Sequence, residues 1–293
     1  MVNRASLTLA TAVAPAVWGT TYLVTTELLP PGHPLFAALM RSLPAGLLAL
    51  LRSRALPRGA WWWKAAVLGA LNIGFFFPLL FVAAERLPGG VAATLGAAQP
   101  IIVAVLAVVI LSERVSGWRL GWGVVGVLGV GLVVLGPGAV FDPAGIIAGL
   151  TGAAAMGTGV ILTKRWRRPE GVSAVGFAGW QLTAGGLVLL APTLLIEGVP
   201  GQVDAPAVAG YLWLGIVGGL VAYTLWFSGL RTLPVTATSL LGLLSPLVAA
   251  LLGVVVAGET LNPLQLIGFT LALAALGAGQ ITPRSRTRKR LSS

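Results

Sequence analysis

The chain reads as an all-α integral membrane protein: ten transmembrane helices in two five-helix repeats of opposite orientation. Three observations carry this reading. Only 9% of the 293 residues are charged while 57% are hydrophobic, with a mean hydropathy of +0.93. A soluble domain carries about 25% charged residues, so most of the outer surface here must face lipid. Ten apolar runs are long enough to cross a bilayer. Finally, Leu87-Pro88, Leu95-Gly96, Pro100 and Glu113 return 146 residues later as Leu233-Pro234, Leu241-Gly242, Pro246 and Glu259. A self-match at fixed period marks internal duplication.

The runs cover approximately residues 6–28, 34–51, 63–84, 91–111, 117–136, 143–163, 173–196, 208–229, 235–257 and 263–282. They are expected to be helices, which satisfy their backbone hydrogen bonds within one segment. The alternating segments of about 10 residues that a membrane β-barrel needs are absent. The first run follows only Met1 to Arg4 and is long enough to stay as a helix, so no cleavable signal is expected. Before the third, Trp61, Trp62 and Trp63 stand beside Lys64 as an interfacial belt. The fourth holds Pro100 near its middle and closes on Glu113. The fifth carries Gly121, Gly123 and Gly126; this spells a dinucleotide fingerprint, but inside an apolar helix it reads as close helix packing. Gly136-Pro137-Gly138 to Asp142-Pro143 is a compact turn with strong helix stops, and divides the chain into repeats 1–138 and 139–293. The ninth run matches the fourth, with Pro246 central and Glu259 at its end. The tenth opens on Asn262-Pro263, with Gln265 in the capping-box position, and Ser116 is the expected cap of the fifth. Glu113 and Glu259, just before helix starts, are read as structural polar residues.

The positive charge sets the orientation. With the N-terminus inside, seventeen of the nineteen Lys and Arg residues fall on inner segments; Arg86 lies outside and Arg41 within a run. Glu27, Asp142, Glu197 and Asp204 fall outside. Both termini are therefore expected in the cytoplasm. Five helices per half is an odd number, so the second half inserts upside down and supplies a pseudo-two-fold axis in the membrane plane, which lets one protein open alternately to each side.

The net charge of +11 lies in short clusters between apolar runs, with no soluble domain to present a basic face, so nucleic acid is excluded as a partner. The chain has no cysteine and one histidine, His33. Disulfides, thiolate metal sites and a histidine pair are excluded, and no metal, cofactor or catalytic residue is expected.

Polar and aromatic residues near mid-membrane are the candidate binding groups: Trp18, Thr20 and Tyr22; Asn72 and Phe76; Gln99; Met156 and Thr158; Trp180 and Gln181; Tyr223 and Phe227; Ser239 and Ser245. Amides in hydrocarbon must be paired or face a wet cavity, so each either bonds a neighbouring helix or contacts a solute. Pro100 and Pro246 each remove a helical hydrogen bond, giving a static kink or a hinge. Arg41, about seven residues inside the second helix, must face protein or water. It is read, with Glu113 and Glu259, as a structural polar residue that ties that helix to carbonyls freed near Pro246, and pairing with a solute carboxylate is the alternative.

Trp18-Gly19, Arg41, the Leu-Pro before a helix with a central proline, and the Glu followed by a glycine-bearing helix (Glu113 with Gly121, Glu259 with Gly268) together resemble the EamA-type drug/metabolite transporter superfamily over nearly the whole chain. Within it the chain looks most like bacterial amino-acid exporters of the YddG type. The resemblance implies a central cavity lined by helices one to four and six to nine, with five and ten outside. It also implies an inner-membrane carrier exporting small metabolites, foremost aromatic or other neutral amino acids. Amphipathic drugs or organic cations are the alternative cargo, and a non-transporting scaffold the alternative class. The substrate-binding set is Trp18, Tyr22, Asn72, Phe76, Gln99, Met156, Trp180, Gln181, Tyr223 and Ser245, with Pro100 and Pro246 as hinges. The partners are a small-molecule substrate and the bilayer, and the chain is a monomer or weak homodimer. The second repeat departs from the first: Met156-Gly157 stands for Trp18-Gly19, and Gln181 roughly for Arg41.

Overall fold

A computed structural model describes residues 3–87, 95–112, 116–134, 142–257 and 261–281. Glu113, Glu259, the Gly136–Gly138 turn and the basic tail lie outside them. The described residues form ten helical rods: α1 (Arg4–Leu28), α2 (Pro34–Ser53), α3 (Trp61–Gly69, Ala70–Gly74 and Phe76–Arg86), α4 (Leu95–Leu111), α5 (Gly117–Val134), α6 (Pro143–Trp166), α7 (Ala174–Pro192 and Thr193–Glu197), α8 (Ala205–Leu212, Trp213–Val221 and Ala222–Thr232), α9 (Val235–Leu241 and Leu244–Ala257) and α10 (Pro263–Gln280). Eight of these are long and apolar enough to cross a membrane; α4 and α5 are shorter apolar helices beside undescribed residues. Each falls on an expected run. Asn262 accepts from Gln265 N and Gln265 Oε1 from Asn262 N, both at 2.9 Å, which closes the capping box at α10. Large apolar side chains such as Leu51, Val109, Leu195 and Val255 point outward, as a lipid-facing surface requires.

The packing obeys the repeat. α2 lies along α7, and α5 along α10, pairs that the duplication exchanges. α1 packs on α8 and α9 as α6 packs on α3 and α4, and α2 meets α8 as α7 meets α3. A pseudo-two-fold axis demands this set of pairings. We call the side holding the start of α1 and the end of α10 the terminal face.

Close approach needs glycine at many helix crossings, and two of them position the site. A methyl group on Gly19 would stand 2.6 Å from the Ser245 carbonyl oxygen and 2.7 Å from Val248 Cβ, so this glycine seats α1 on the broken helix α9. One on Gly129 would stand 2.8 Å from the Gly268 carbonyl oxygen, where α5 and α10 touch backbone to backbone. Of Gly121, Gly123 and Gly126, only Gly126 is that tightly packed, against Leu243 and Ala275. Of the three tryptophans that open α3, Trp62 and Trp63 face outward, while Trp61 packs on Phe177 and Trp180 with ring centroids 5.8 and 5.9 Å away.

Pro100 and Pro246 lie in the first turn of a second helical segment, after a break, rather than within a continuous kinked helix. A turn at Ala98 interrupts α4, and Gly242-Leu243 interrupts α9. Proline has no N–H and its ring collides with the carbonyl four residues back. The chain closes these turns with shorter bonds: Ala98 N to Leu95 O at 3.2 Å and Gly242 N to Ser239 O at 2.9 Å.

α3 and α8 also change winding. Ala70–Gly74 and Trp213–Val221 are π-helical, and the 146-residue repeat places the first within the second. π turns shift the backbone ladder to i→i+5 bonds and are frequent at functional sites.

Candidate functional site

A cavity of about 80 Å³ lies at the centre of the bundle. α1 contributes Trp18, Thr21 and Tyr22; α2 contributes Arg41; α3 contributes Phe76, Leu80 and Ala83; α4 contributes Gly96, Ala97 and Gln99. From the second repeat come Gly149, Gly152, Ala153 and Met156 of α6, Tyr223 of α8, and Gly242, Ser245 and Pro246 of α9. The structure thus gathers Trp18, Tyr22, Phe76, Gln99, Met156, Tyr223 and Ser245 around one space. None of its described lining comes from α5 or α10, as the resemblance implied, and none comes from α7, which the resemblance had placed in the lining.

Two carbonyls of the π-helical stretches hold the aromatic wall. Trp18 Nε1 donates to the Gly218 carbonyl at 2.9 Å, and Tyr223 Oη to the Asn72 carbonyl at 3.3 Å. Asn72 and Gly218 are repeat equivalents, so both halves use the same displaced carbonyl to hold an aromatic of the cavity. The Trp18 ring lies 5.1 Å from Tyr223 and 5.2 Å from Trp226. Hydropathy does not register a π turn; the repeated Leu68-Gly69 and Leu214-Gly215 just ahead of the two positions is the trace the sequence holds.

Asn72, Trp180 and Gln181 depart from the expected set. Asn72 Nδ2 donates to Gln181 Oε1 at 2.7 Å and lies 3.4 Å from Thr163 Oγ1. These buried amides share that one bond between α3 and α7, with Asn72 Oδ1 and Gln181 Nε2 left without a hydrogen-bond partner, and they do not line the cavity. Their layer, with Phe177 and Phe227, stands between the cavity and a vestibule of about 470 Å³ on the terminal face, whose walls include Thr163, Phe177 and Phe227. Trp180 Nε1 donates to the Ala55 carbonyl at 2.7 Å, tying the end of α2 to α7. The vestibule is basic, with Lys164, Arg167, Arg168 and Arg231 in its wall. Burial, with the Arg231 charge nearby, holds the Arg168 guanidinium below the usual arginine range.

On the opposite face the cavity is thinly covered. A second vestibule of about 580 Å³, between α1, the 29–33 loop, α2 and α3, shares Thr21, Tyr22 and Leu80 with it. There Glu197, at the end of α7, accepts from Leu35 N at 2.8 Å and Phe36 N at 2.7 Å. A carboxylate on the orphan amides of a helix N-terminus is a favourable clamp.

Arg41 is 2% exposed. Its Nη1 donates to Thr21 Oγ1 at 3.2 Å, and its guanidinium lies 4.5 Å from the Phe77 ring centroid. The bond to carbonyls near Pro246, expected from sequence, is replaced by this pair: Arg41 and Pro246 both line the cavity. Its Nε has no hydrogen-bond partner.

Two inverted repeats enclosing a mid-bundle cavity, with a vestibule toward each face, define a multi-pass membrane carrier. The EamA-like transporter family model matches the chain twice, over residues 6–135 and 143–277. The chain belongs to this family of transporters, which are not enzymes. It is 47% identical to protein PecM of Dickeya dadantii over 90% of this chain and 88% of that one. It is 28% identical to the inner membrane transporter YedA of Escherichia coli K12, over 89% and 88% of the two chains. Identity is also 28% to a probable terminal-alkyne amino-acid exporter of Streptantibioticus cattleyicolor, over 88% and 84%. A crystal structure with 22% identity shares the fold, with a TM-score of 0.76 over 94% of this chain and 96% of that one.

Proposed function

We propose that the protein exports small metabolites, foremost aromatic or other neutral amino acids, across a bacterial inner membrane by alternating access, as YddG-type carriers do. The observation that carries this is the composition of the cavity: aromatic and thioether faces from both repeats, with Gln99, Ser245 and Thr21 as separate polar points. Such a site suits a solute with one apolar and one polar end. The Streptantibioticus relative adds support at the level of substrate class. Organic cations are disfavoured, because Arg41 places a positive charge in the wall and no acid is among the described lining residues.

Trp18, Tyr22, Phe76, Gln99, Met156, Tyr223 and Ser245 are the proposed substrate contacts, and the breaks at Pro100 and Pro246 the hinges. Asn72 and Gln181 form the closure toward the terminal face, which is cytoplasmic in this reading. The two repeats are residues 1–138 and 139–293. The protein acts as a monomer or weak homodimer, since α5 and α10 turn Gly129 and Gly268 toward each other within the chain. Acids such as Glu27, Asp142, Glu170, Glu197 and Asp204 lie at helix ends or in loops, so export runs down the solute gradient without tight proton coupling.

The test is counterflow in liposomes holding the purified protein, with a panel of labelled amino acids. Exchange of at least one neutral or aromatic member is expected. No exchange of any, or uptake concentrated by an imposed pH gradient alone, would overturn the reading.

A further inference from the structure

The two halves differ at one buried contact. Methyl groups added to Gly46 and Gly186 would strike Thr183 and Leu43 respectively. These contacts are each other's images only if α2 maps onto α7 by 140 residues, which makes Gln181 the counterpart of Arg41. Asn72 is the counterpart of Gly218. The closed amide pair Asn72–Gln181 therefore corresponds to Gly218–Arg41. In the first pair a side-chain amide meets its partner at 2.7 Å. In the second there is no side chain to meet: a Cβ on Gly218 would stand 3.6 Å from Arg41 Nη2 and 3.9 Å from Nε.

We propose that Arg41, left without its partner by the glycine at 218, is a carboxylate subsite, so that the cavity selects solutes bearing a carboxylate on an apolar body. This rests on the cavity being the transport site and deepens that reading. Arg41 is buried, lines the cavity, and keeps Nε without a hydrogen-bond partner. The one ion pair among the described residues is Arg86–Asp142, at the opposite face. A buried guanidinium lacking an anion is costly, and its planar fork matches a carboxylate. Phe77 covers one face of the guanidinium, and Trp18, Tyr22 and Tyr223 supply apolar surface beside it. The rest of the solute extends toward the opposite-face vestibule, which shares Thr21 and Tyr22 with the cavity.

Calorimetric titration of the purified protein with 3-phenylpropionate and with 3-phenylpropionamide, probes alike in shape and different in charge, tests this. The carboxylate should bind at least about tenfold tighter, the scale of a charge-assisted hydrogen bond. Arg41→Gln should erase that preference while changing amide affinity less than about twofold, leaving the apolar contacts intact. Gly218→Asn should weaken carboxylate binding by placing an amide at the guanidinium, as Asn72 does for Gln181; it decides the matter if Arg41→Gln does not fold. Absent binding of both probes, equal affinities, a preference that survives Arg41→Gln, or undiminished carboxylate binding in Gly218→Asn would overturn the subsite. If the preference depends on Arg41 yet liposomes exchange no amino acid, the subsite stands and amino-acid export falls. If amino acids are exchanged and no charge preference exists, the reverse holds.

Discussion

Phe77 and Tyr223 are repeat counterparts, and their rings meet edge to face with centroids 6.0 Å apart. A residue touching its own counterpart must lie on the axis relating the halves, so this pair marks the pivot of the molecule. The unlike neighbours gather around it. Phe77 carries the Arg41 guanidinium at 4.5 Å, and Tyr223 donates to the Asn72 carbonyl.

Removing the axis ring should loosen both halves together. Phe77 is fully buried, whereas Phe75 is 51% exposed on the outer surface. Phe77→Ala is expected to cost about 3–5 kcal/mol, the range for deleting a buried aromatic. Phe75→Ala should cost well under half as much. Thermal unfolding of the two variants in one detergent checks this; equal losses would contradict the pivot.

Breaking the amide pair should open the terminal-face closure. Asn72→Ala leaves the Gln181 carbonyl oxygen buried without its donor, at about 1–3 kcal/mol. With no native cysteine, Ser245→Cys reports access to the cavity without background. Its labelling by a membrane-impermeant thiol reagent from the terminal face is expected to speed up several-fold when Asn72→Ala is added. An unchanged rate would show that the pair is not part of the closure.

The helix breaks can be mended. Pro100→Ala and Pro246→Ala restore an N–H able to complete the α-helical ladder. Stability is expected to hold or rise by up to about 1 kcal/mol, since a tolerated break is relieved. Counterflow in liposomes should fall several-fold, because straighter helices resist the change of shape. Full transport in both variants would make the prolines static kinks.

Single cysteines fix the orientation. Ser53→Cys and Ser116→Cys should label only from the cytoplasm, and Gly32→Cys and Gly201→Cys only from outside. The reverse pattern would invert the assignment drawn from the basic clusters.

All ten described helices were legible, because about twenty apolar residues between charged segments leave little choice in a bilayer. Which side of a span faces inward was less so. In lipid the outer face is as apolar as the inner one, and polarity has to stand in for direction. That works for Gln99 and Ser245, which face the cavity. It does not separate out Asn72 and Gln181, which lie off the cavity, because an amide bonded to a neighbour and an amide facing a solute look alike in one dimension. Arg41 was left open for a related reason: a lone buried cation needs partners, and only the fold shows that Thr21 and Phe77 meet it in part while Nε stays without one. The Glu197 clamp joins residues 161 and 162 positions apart, beyond any local pattern.

A carrier with identical halves would have two degenerate resting states, one open to each side. Here an amide pair faces a guanidinium without one, and a carboxylate clamp at one end of α2 faces an indole at the other. One net buried hydrogen bond, about 1 kcal/mol, already biases an empty two-state carrier about fivefold. Divergence after duplication thus lifts the degeneracy and gives the unloaded protein a preferred side, while the direction of net flow stays with the solute gradient.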